Sequence, residues 1–176
     1  MILYLYQNTE EKKRYDYNWY ELDDVIVCCV GTILYEEHNI TNSVKEIAKI
    51  LCSGISFTEL CNRIDGHYFL MIFYKKSSQV VMITDACGFI NIYYIHKGNN
   101  YYISSSMLAL AKNIMVTKDD ESILMFLRTG CYFNDDTIFK EIKVLKPASI
   151  YKYDPEEGKI TCQEYWKVPS HVQSDI

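Results

Sequence analysis

Cysteine and histidine are the residues of this 176-residue chain with the widest chemical range, and it holds 7 of the first and 4 of the second. Apart from one adjacent pair, the cysteines are scattered, without Cys-x-x-Cys or another spacing typical of a metal site. Most lie in apolar runs, and their odd number fits a reducing compartment. We therefore expect free thiols, no bound metal and a cytoplasmic location. The positions are Cys28, Cys29, Cys52, Cys61, Cys87, Cys131 and Cys162.

One Cys–His pair is a possible catalytic centre. His67 lies at the start of an apolar, strand-like run and could approach Cys87 or Cys28 to form a nucleophile and its base. Scattered cysteines and histidines often pair by chance, so an enzyme with such a cysteine nucleophile stays an alternative. The acidic runs at residues 119–121 and 135–136 fit a helix start and a loop better than catalytic carboxylates.

Other classes of function are excluded by motif and charge. The sequence has no G-x-x-x-x-G-K-[ST] phosphate loop and no S-G-G-x-D-S loop of ATP pyrophosphatases, so no nucleotide cofactor is predicted. A formal net charge of −5 opposes binding of nucleic acid through its phosphates. The apolar runs are far shorter than the ~20 residues that span a bilayer, so no membrane partner is expected. The 16 tyrosines fit half-buried strands better than a base-stacking surface.

The elements that must position these residues come in blocks of strands and blocks of helices. This order, rather than strict β-α-β alternation, predicts an α+β domain with mainly antiparallel sheet. An opening strand at residues 1–6 and a polar turn or short helix over residues 7–20 are expected first. Apolar periodicity then predicts strands at 25–34, 68–74, 79–84, 90–95, 100–104, 144–145, 148–153 and 159–163, and helices at 44–52, 57–64, 105–112 and 122–128.

Three residues carry a backbone signal within this pattern. Gly31 interrupts the first long strand, which predicts a bend or a close backbone approach. Asp85 and Gly88 flank a turn between strands, where the carboxylate can accept backbone hydrogen bonds and glycine can adopt a positive φ. We expect the role of Asp85 and Gly88 to be structural.

Five segments carry a further signal in their order and spacing: residues 65–73, 85–94, 101–110, 126–148 and 165–166. They resemble, in that order, a G-x-F-A-x-x-I-x-D strand, an R-D-x-x-G-x-x-P-L-Y-Y segment, an F-A-S-E-x-K-A-L segment, an L-x-x-G to L-x-P-G stretch and a closing Y-W. These are the motifs of the glutaminase domain of asparagine synthetases, a class II glutamine amidotransferase domain with the N-terminal nucleophile fold, which this sequence therefore resembles. The resemblance implies a four-layer αββα sandwich with two mainly antiparallel sheets over residues 1–166, and a linker-like tail at 167–176.

The resemblance also implies a catalytic apparatus, most of which this sequence does not match. The family uses an N-terminal cysteine whose own amine is the base, and this chain begins Met1-Ile2. The oxyanion donors are an asparagine side chain and a glycine N–H in an N-G-E strand. An arginine and an acidic residue hold the substrate's carboxylate and ammonium groups. None of Arg14, Arg63 and Arg128 can be assigned to that carboxylate from the sequence.

The positions that match the glutamine pocket are degenerate. Val30-Gly31-Thr32 corresponds to N-G-E, so Val30 offers no side-chain donor and Thr32 replaces the acidic residue. Lys45 lies near the start of the following helix, where the resemblance implies an aspartate for the substrate ammonium. We expect no catalytic residue, no cofactor and no glutaminase activity.

The function predicted from these residues is a non-catalytic amidotransferase-like domain, regulatory or scaffolding, in an asparagine synthetase-like ligase system. Its partner would be the ATP-dependent ligase domain, in cis or in trans, docked through aromatic residues near 89–94 and 131–133. A homo-oligomer is possible. The alternatives are a stand-alone module that binds an amino acid or peptide, and the enzyme with an unrecognised cysteine nucleophile.

Overall fold

The computed structural model describes residues 17–36, 40–98 and 100–167. The helices of these ranges are α1 (Ile40–Cys52), α2 (Phe57–Cys61), α3 (Met107–Asn113) and α4 (Asp120–Thr129). Their strands are β1 (Tyr17–Glu21), β2 (Val25–Tyr35), β3 (Ile64–Tyr74), β4 (Gln79–Thr84), β5 (Tyr93–Lys97), β6 (Asn100–Ser104), β7 (Lys143–Val144), β8 (Ser149–Asp154) and β9 (Lys159–Glu164). None of these helices is long and apolar enough to span a membrane.

The strands form two sheets. Six of them run in the order β1-β2-β3-β4-β8-β9, and three in the order β6-β5-β7. All pairings between the described strands are antiparallel. The predicted α+β sandwich with two antiparallel sheets is confirmed, and the segments 25–34 and 68–74 form the inner strands β2 and β3 of the large sheet.

Three apolar cores hold four layers together. The first lies between α1 and α2 and the outer face of the large sheet, the second between the two sheets, and the third between the small sheet and α3. Strand β2 serves two of them by simple alternation: Val27 and Cys29 face the helices, while Val30 faces the small sheet. Helix α1 buries the predicted i, i+3, i+4, i+7 stripe of Val44, Ile47, Ala48 and Leu51.

Several predicted boundaries are wrong. The polar segment 7–20 was expected to be a turn or short helix, but its last residues belong to β1, where pairing with β2 and packing of Tyr20 on the first core override the polar composition. The helix expected over 57–64 ends at Cys61, and Ile64 already belongs to β3. The strand expected from residue 90 begins only at Tyr93. The opening strand at 1–6 and tail residues 168–176 lie outside the described residues.

Candidate functional site

Two glycines bring the paired strands β2 and β3 into close backbone contact near the C-terminal part of β2 and the start of β3. Gly31 has a φ of +89°, and a Cβ added there would lie 2.3 Å from the carbonyl oxygen of His67. Gly66 has a φ of +114°, and its added Cβ would lie 2.3 Å from the carbonyl oxygen of Thr32. Real Cβ atoms do not come so close, so each strand requires glycine where it passes the other. The predicted close approach at Gly31 is therefore present.

Beside this close contact of β2 and β3 lies a small polar and aromatic surface. We call it the Gly31 surface and define it as Gly31, Thr32, His67, Phe89 and Ile90. Thr32 and His67 are cross-strand neighbours, and both are exposed. The His67 ring lies against the Phe89 ring, with centroids 4.0 Å apart. The Ile90 Cδ1 atom lies 3.2 Å from the Cβ position at Gly31. An imidazole, a hydroxyl and an apolar wall thus lie together on an exposed part of strands β2 and β3.

Val30 leads into this surface but takes no polar part in it. Its side chain is only 2% exposed and packs in the core between the sheets, opposite Phe69 of β3. An aliphatic side chain there can neither donate a hydrogen bond nor reach a ligand. Of the segment Val30-Gly31-Thr32, the Gly31 backbone and the Thr32 hydroxyl are the parts able to make polar contacts.

Lys45 lies elsewhere. Its ammonium stands 5.9 Å from the centroid of the Tyr20 ring, a cation–π contact on the helix side of the large sheet. Tyr20 packs against the core beneath α1, whereas Val30 packs between the sheets. Lys45 and Val30 therefore lie on opposite faces of the large sheet. The structure brings Val30, Gly31 and Thr32 together along one strand and does not bring Lys45 to them.

The turn after β4 builds the wall of the Gly31 surface. The Asp85 carboxylate accepts hydrogen bonds from the backbone N–H groups of Cys87, Phe89 and Ile90, at 2.9, 3.2 and 3.3 Å. Gly88 has a φ of +68°, which lets the chain turn back around the carboxylate. Asp85 is 1% exposed, and its backbone groups also bond across the fold, donating to Tyr68 and accepting from Ala148.

A family model described as the glutamine amidotransferase domain matches residues 37–166, from the approach to α1 through the residue after Tyr165. The chain belongs to the glutamine amidotransferase domain family. The predicted amidotransferase resemblance is thereby confirmed. The match covers α1 and the Asp85 turn and starts after Val30-Gly31-Thr32. No curated protein matches the chain.

The thiols of this amidotransferase domain divide into buried and exposed groups. All seven cysteines are free. Burial raises the pKa of the Cys28 thiol and that of Cys29, where neighbouring Cys28 raises it further. Burial also raises the pKa of Cys61 to about 12. Since the thiolate is the nucleophile, burial works against activation of these three thiols at neutral pH. The exposed thiols are Cys52, Cys87, Cys131 and Cys162.

Of the three arginines, only Arg63 has contacts that the structure describes. The Arg63 guanidinium forms a 3.0 Å ion pair with Glu36 and stands 5.8 Å from the Tyr35 ring. Arg128 lies on α4, and Arg14 falls outside the described residues. Within residues 17–36, 40–98 and 100–167, no group of three or more His, Cys, Asp or Glu side chains could hold a metal ion.

The contact between His67 and Phe89 was not foreseen from the sequence. It depends on the register of β2 and β3 and on the loop that Asp85 folds, neither of which has a local sequence signal. His67 was considered as the base for Cys87 or Cys28. Among the hydrogen bonds of the described residues, none joins His67 to a cysteine, and the ring contact of this imidazole is with Phe89.

Proposed function

We propose that this amidotransferase domain does not hydrolyse glutamine and serves a regulatory or scaffolding role in an asparagine synthetase-like, ATP-dependent ligase system. The observation that carries the proposal is the burial of the Val30 side chain beside Gly31. In the resembled glutaminases this position provides an amide donor for the oxyanion. Here it is an aliphatic residue of the core between the sheets.

The missing donor affects the transition state directly. Hydrolysis of an amide passes through a tetrahedral oxyanion, which a glutaminase stabilises with two positioned donors. Gly31 retains a backbone N–H, whereas Val30 has nothing to donate. Loss of one such donor costs about 2.7–4 kcal/mol of transition-state stabilisation. A domain of this kind is a poor glutaminase even where a nucleophile is present.

Recognition of the substrate is weakened as well. A bound glutamine offers a carboxylate and an ammonium, which need an arginine and an acidic side chain beside them. Arg63 is paired with Glu36, and Lys45 carries the wrong charge and lies on the other face of the large sheet. These placements support a pocket that does not select glutamine.

The proposal that the domain lacks a catalytic nucleophile rests on the sequence. Residues 1–16 lie outside the described part of the chain, and the expectation that no N-terminal cysteine acts there stays part of the proposal. The buried thiols support it, because the pKa of each is raised rather than lowered. The alternative of an unrecognised cysteine nucleophile gains nothing from these three residues.

The proposed partner is an asparagine synthetase-like ligase domain, in cis or in trans, in the cytoplasm. Aromatic side chains in both segments that we expect to dock are available for contact. Phe89 is 61% exposed, and Phe133 is 48% exposed. Exposed aromatic residues of this size are typical of surfaces covered by another domain.

Ammonia release from glutamine tests the absence of activity. The purified chain is expected to release no ammonia above the background of buffer and glutamine. The variant Ile2→Cys is expected to behave in the same way, because Val30 still leaves the oxyanion with one donor too few. Circular dichroism would check that both proteins are folded. Ammonia release by the unaltered chain would contradict the proposal.

The ligase role needs a separate measurement. An asparagine synthetase-like ligase from the same source, supplied with ammonia in place of glutamine, is assayed with and without this chain. We expect the chain to bind the ligase and to change its rate or its thermal stability. Phe89→Ser is expected to weaken binding, whereas Leu34→Ser, an exposed apolar residue outside the two segments expected to dock, serves as the control.

The Gly31 surface favours one second candidate, a module that binds an amino acid or a peptide. An exposed imidazole, a hydroxyl and an aromatic face lie together there and can contact a polar ligand with an apolar side chain. Calorimetric titration with glutamine, asparagine and short peptides separates the candidates. Saturable binding that His67→Ala abolishes would favour the module.

A further inference from the structure

Helix α4 exposes four large apolar side chains. Of its ten residues only Ser122 is buried, while Leu127 is 75%, Leu124 48%, Phe126 40% and Met125 37% exposed. The helix is nevertheless well terminated. The Asp119 side chain accepts a hydrogen bond from the Ser122 N–H at its start, and Gly130 ends it with a φ of +76°. The exposed leucines therefore belong to a defined element with a fixed face.

Helical periodicity defines that face. At 3.6 residues per turn, five residues recur on the outward side, and we call them the α4 face: Asp120, Glu121, Leu124, Leu127 and Arg128. All five are exposed. The opposite side holds Ser122 and Phe126, and the Phe126 ring stacks on that of Tyr132, with centroids 4.7 Å apart. The contact with Tyr132 therefore lies on the side opposite the α4 face, although Phe126 itself remains 40% exposed.

The charges on the α4 face are arranged as a self-complementary pattern. Asp120 and Glu121 lie at its beginning, Arg128 at its end, and Leu124 midway between them. None of these charged side chains forms a salt bridge with another residue of the described ranges. A second helix of the same sequence, laid antiparallel, would place an arginine beside the acidic pair at both ends. Leu124 would then meet the Leu124 of the other copy.

We propose that the α4 face binds a second copy of this chain, with the two α4 helices antiparallel about a two-fold axis at Leu124. An isologous interface of this kind requires one patch complementary to itself, which the charge pattern provides. The apolar centre is removed from water while the charged ends remain at the rim, where ion pairs fix orientation.

The size of the patch sets the expected strength. A ten-residue helix is about 15 Å long, and a standard interface buries about 800 Å² per partner. The α4 face alone is smaller than this, so the neighbouring Met125 side chain, which is 37% exposed, must contribute. We therefore expect a weak dimer, with a dissociation constant on the order of 10 µM.

Sedimentation velocity of the full chain under reducing conditions tests the proposal, over about 1 to 300 µM so that the range brackets that constant. The sedimentation coefficient is expected to rise with concentration. Leu124→Glu is expected to raise the dissociation constant at least tenfold. Leu108→Glu is the matched control, since Leu108 is 59% exposed on α3 and lies outside the α4 face. A chain that stays monomeric throughout, or a control that weakens association equally, would overturn the proposal.

A charge exchange tests the antiparallel arrangement. R128E and D120K/E121K each place like charges opposite one another, so each alone is expected to be monomeric. Mixed together they restore both ion-pair ends and are expected to form a heterodimer. Circular dichroism of each variant checks that α4 is intact. Failure of folded variants to associate when mixed would overturn the two-fold geometry, whereas a glutaminase-active chain would leave this inference unaffected.

Discussion

The Asp85 turn and the Val30-Gly31-Thr32 segment adjoin the same surface but differ in their polar groups. At the turn, one buried carboxylate still accepts three backbone hydrogen bonds. In the strand, the glycine needed for close packing is present, while the neighbouring side chain is aliphatic and buried. The difference teaches that the residues which shape this surface are separable from those which would make it catalytic.

The largest expected effect comes from breaking the turn. Asp85→Ala removes a carboxylate that is 1% exposed and leaves three partly buried N–H groups without their acceptor. We expect the free energy of unfolding to fall by about 4 kcal/mol, because hydrogen bonds to a charged group contribute about 1.5–3 kcal/mol each and the released N–H groups partly recover with water. Urea denaturation measures it. Asp154→Ala, which removes a turn carboxylate with two solvent-exposed N–H hydrogen bonds, is the control and should cost less than half as much.

The close approach of β2 and β3 is tested at its glycine. Gly31→Ala combines a positive φ with a Cβ 2.3 Å from a carbonyl oxygen, so we expect a loss of about 3 kcal/mol. Gly54→Ala is a matched control, because its φ is +84° and an added Cβ there meets no atom within 4 Å. Its loss should be about 1 kcal/mol. Equal losses of unfolding free energy at the two sites, measured by thermal or urea unfolding, would show that β2 and β3 do not approach closely at Gly31.

Restoring an amide at Val30 sharpens the comparison. Val30→Asn places a polar group in the core between the sheets, and we expect a loss of about 2 kcal/mol for burying it without a partner. Val30→Ala removes apolar volume without adding polarity and separates the two causes. A Val30→Asn protein as stable as the original chain would mean that the amide finds a partner there, and that the position still suits an oxyanion donor.

The effect that is smallest at neutral pH is a pH dependence from a buried thiol, because it appears only in alkaline solution. The pKa of Cys61 is raised from 9.0 to about 12 in the folded chain, so the unfolded chain loses its proton first. Its contribution to stability is complete below pH 9.0 and is lost as the pH rises towards about 12. Between these pH values, the free energy of unfolding of Cys61→Ala should fall less steeply than that of the original chain, by up to about 1.4 kcal/mol per pH unit. Cys162→Ala, at an exposed thiol, should leave the slope unchanged.

Much of the fold could be predicted because its signals are local. The stripe of α1 follows from the spacing of its apolar residues, and β2, β3 and β4 follow from short apolar runs along one segment. Strand β1 could not be predicted in this way, since its polar sequence forms a strand only through pairing with β2. The end of α2 was likewise set by the sheet, which takes up Ile64.

The candidate site could be predicted only along the strand. Val30, Gly31 and Thr32 are neighbours in sequence, so their joint placement needed no tertiary information. Lys45 was grouped with them by its position in a helix, but which face of the sheet a helix covers depends on the whole fold. The contact of His67 with Phe89 depends on strand register and on a loop held by a buried carboxylate, both non-local properties.

Tyr165 has a mechanical consequence. Its hydroxyl donates to the carbonyl oxygen of Thr84 at 2.8 Å, and its N–H donates to that of Ala148. A pull on residue 167 would therefore load the end of β4 as well as the outermost strand β9. Thr84 immediately precedes Asp85, so tension would arrive at the turn that carries Phe89. Through these two hydrogen bonds, the last described residues are mechanically coupled to the turn that forms the aromatic wall of the Gly31 surface.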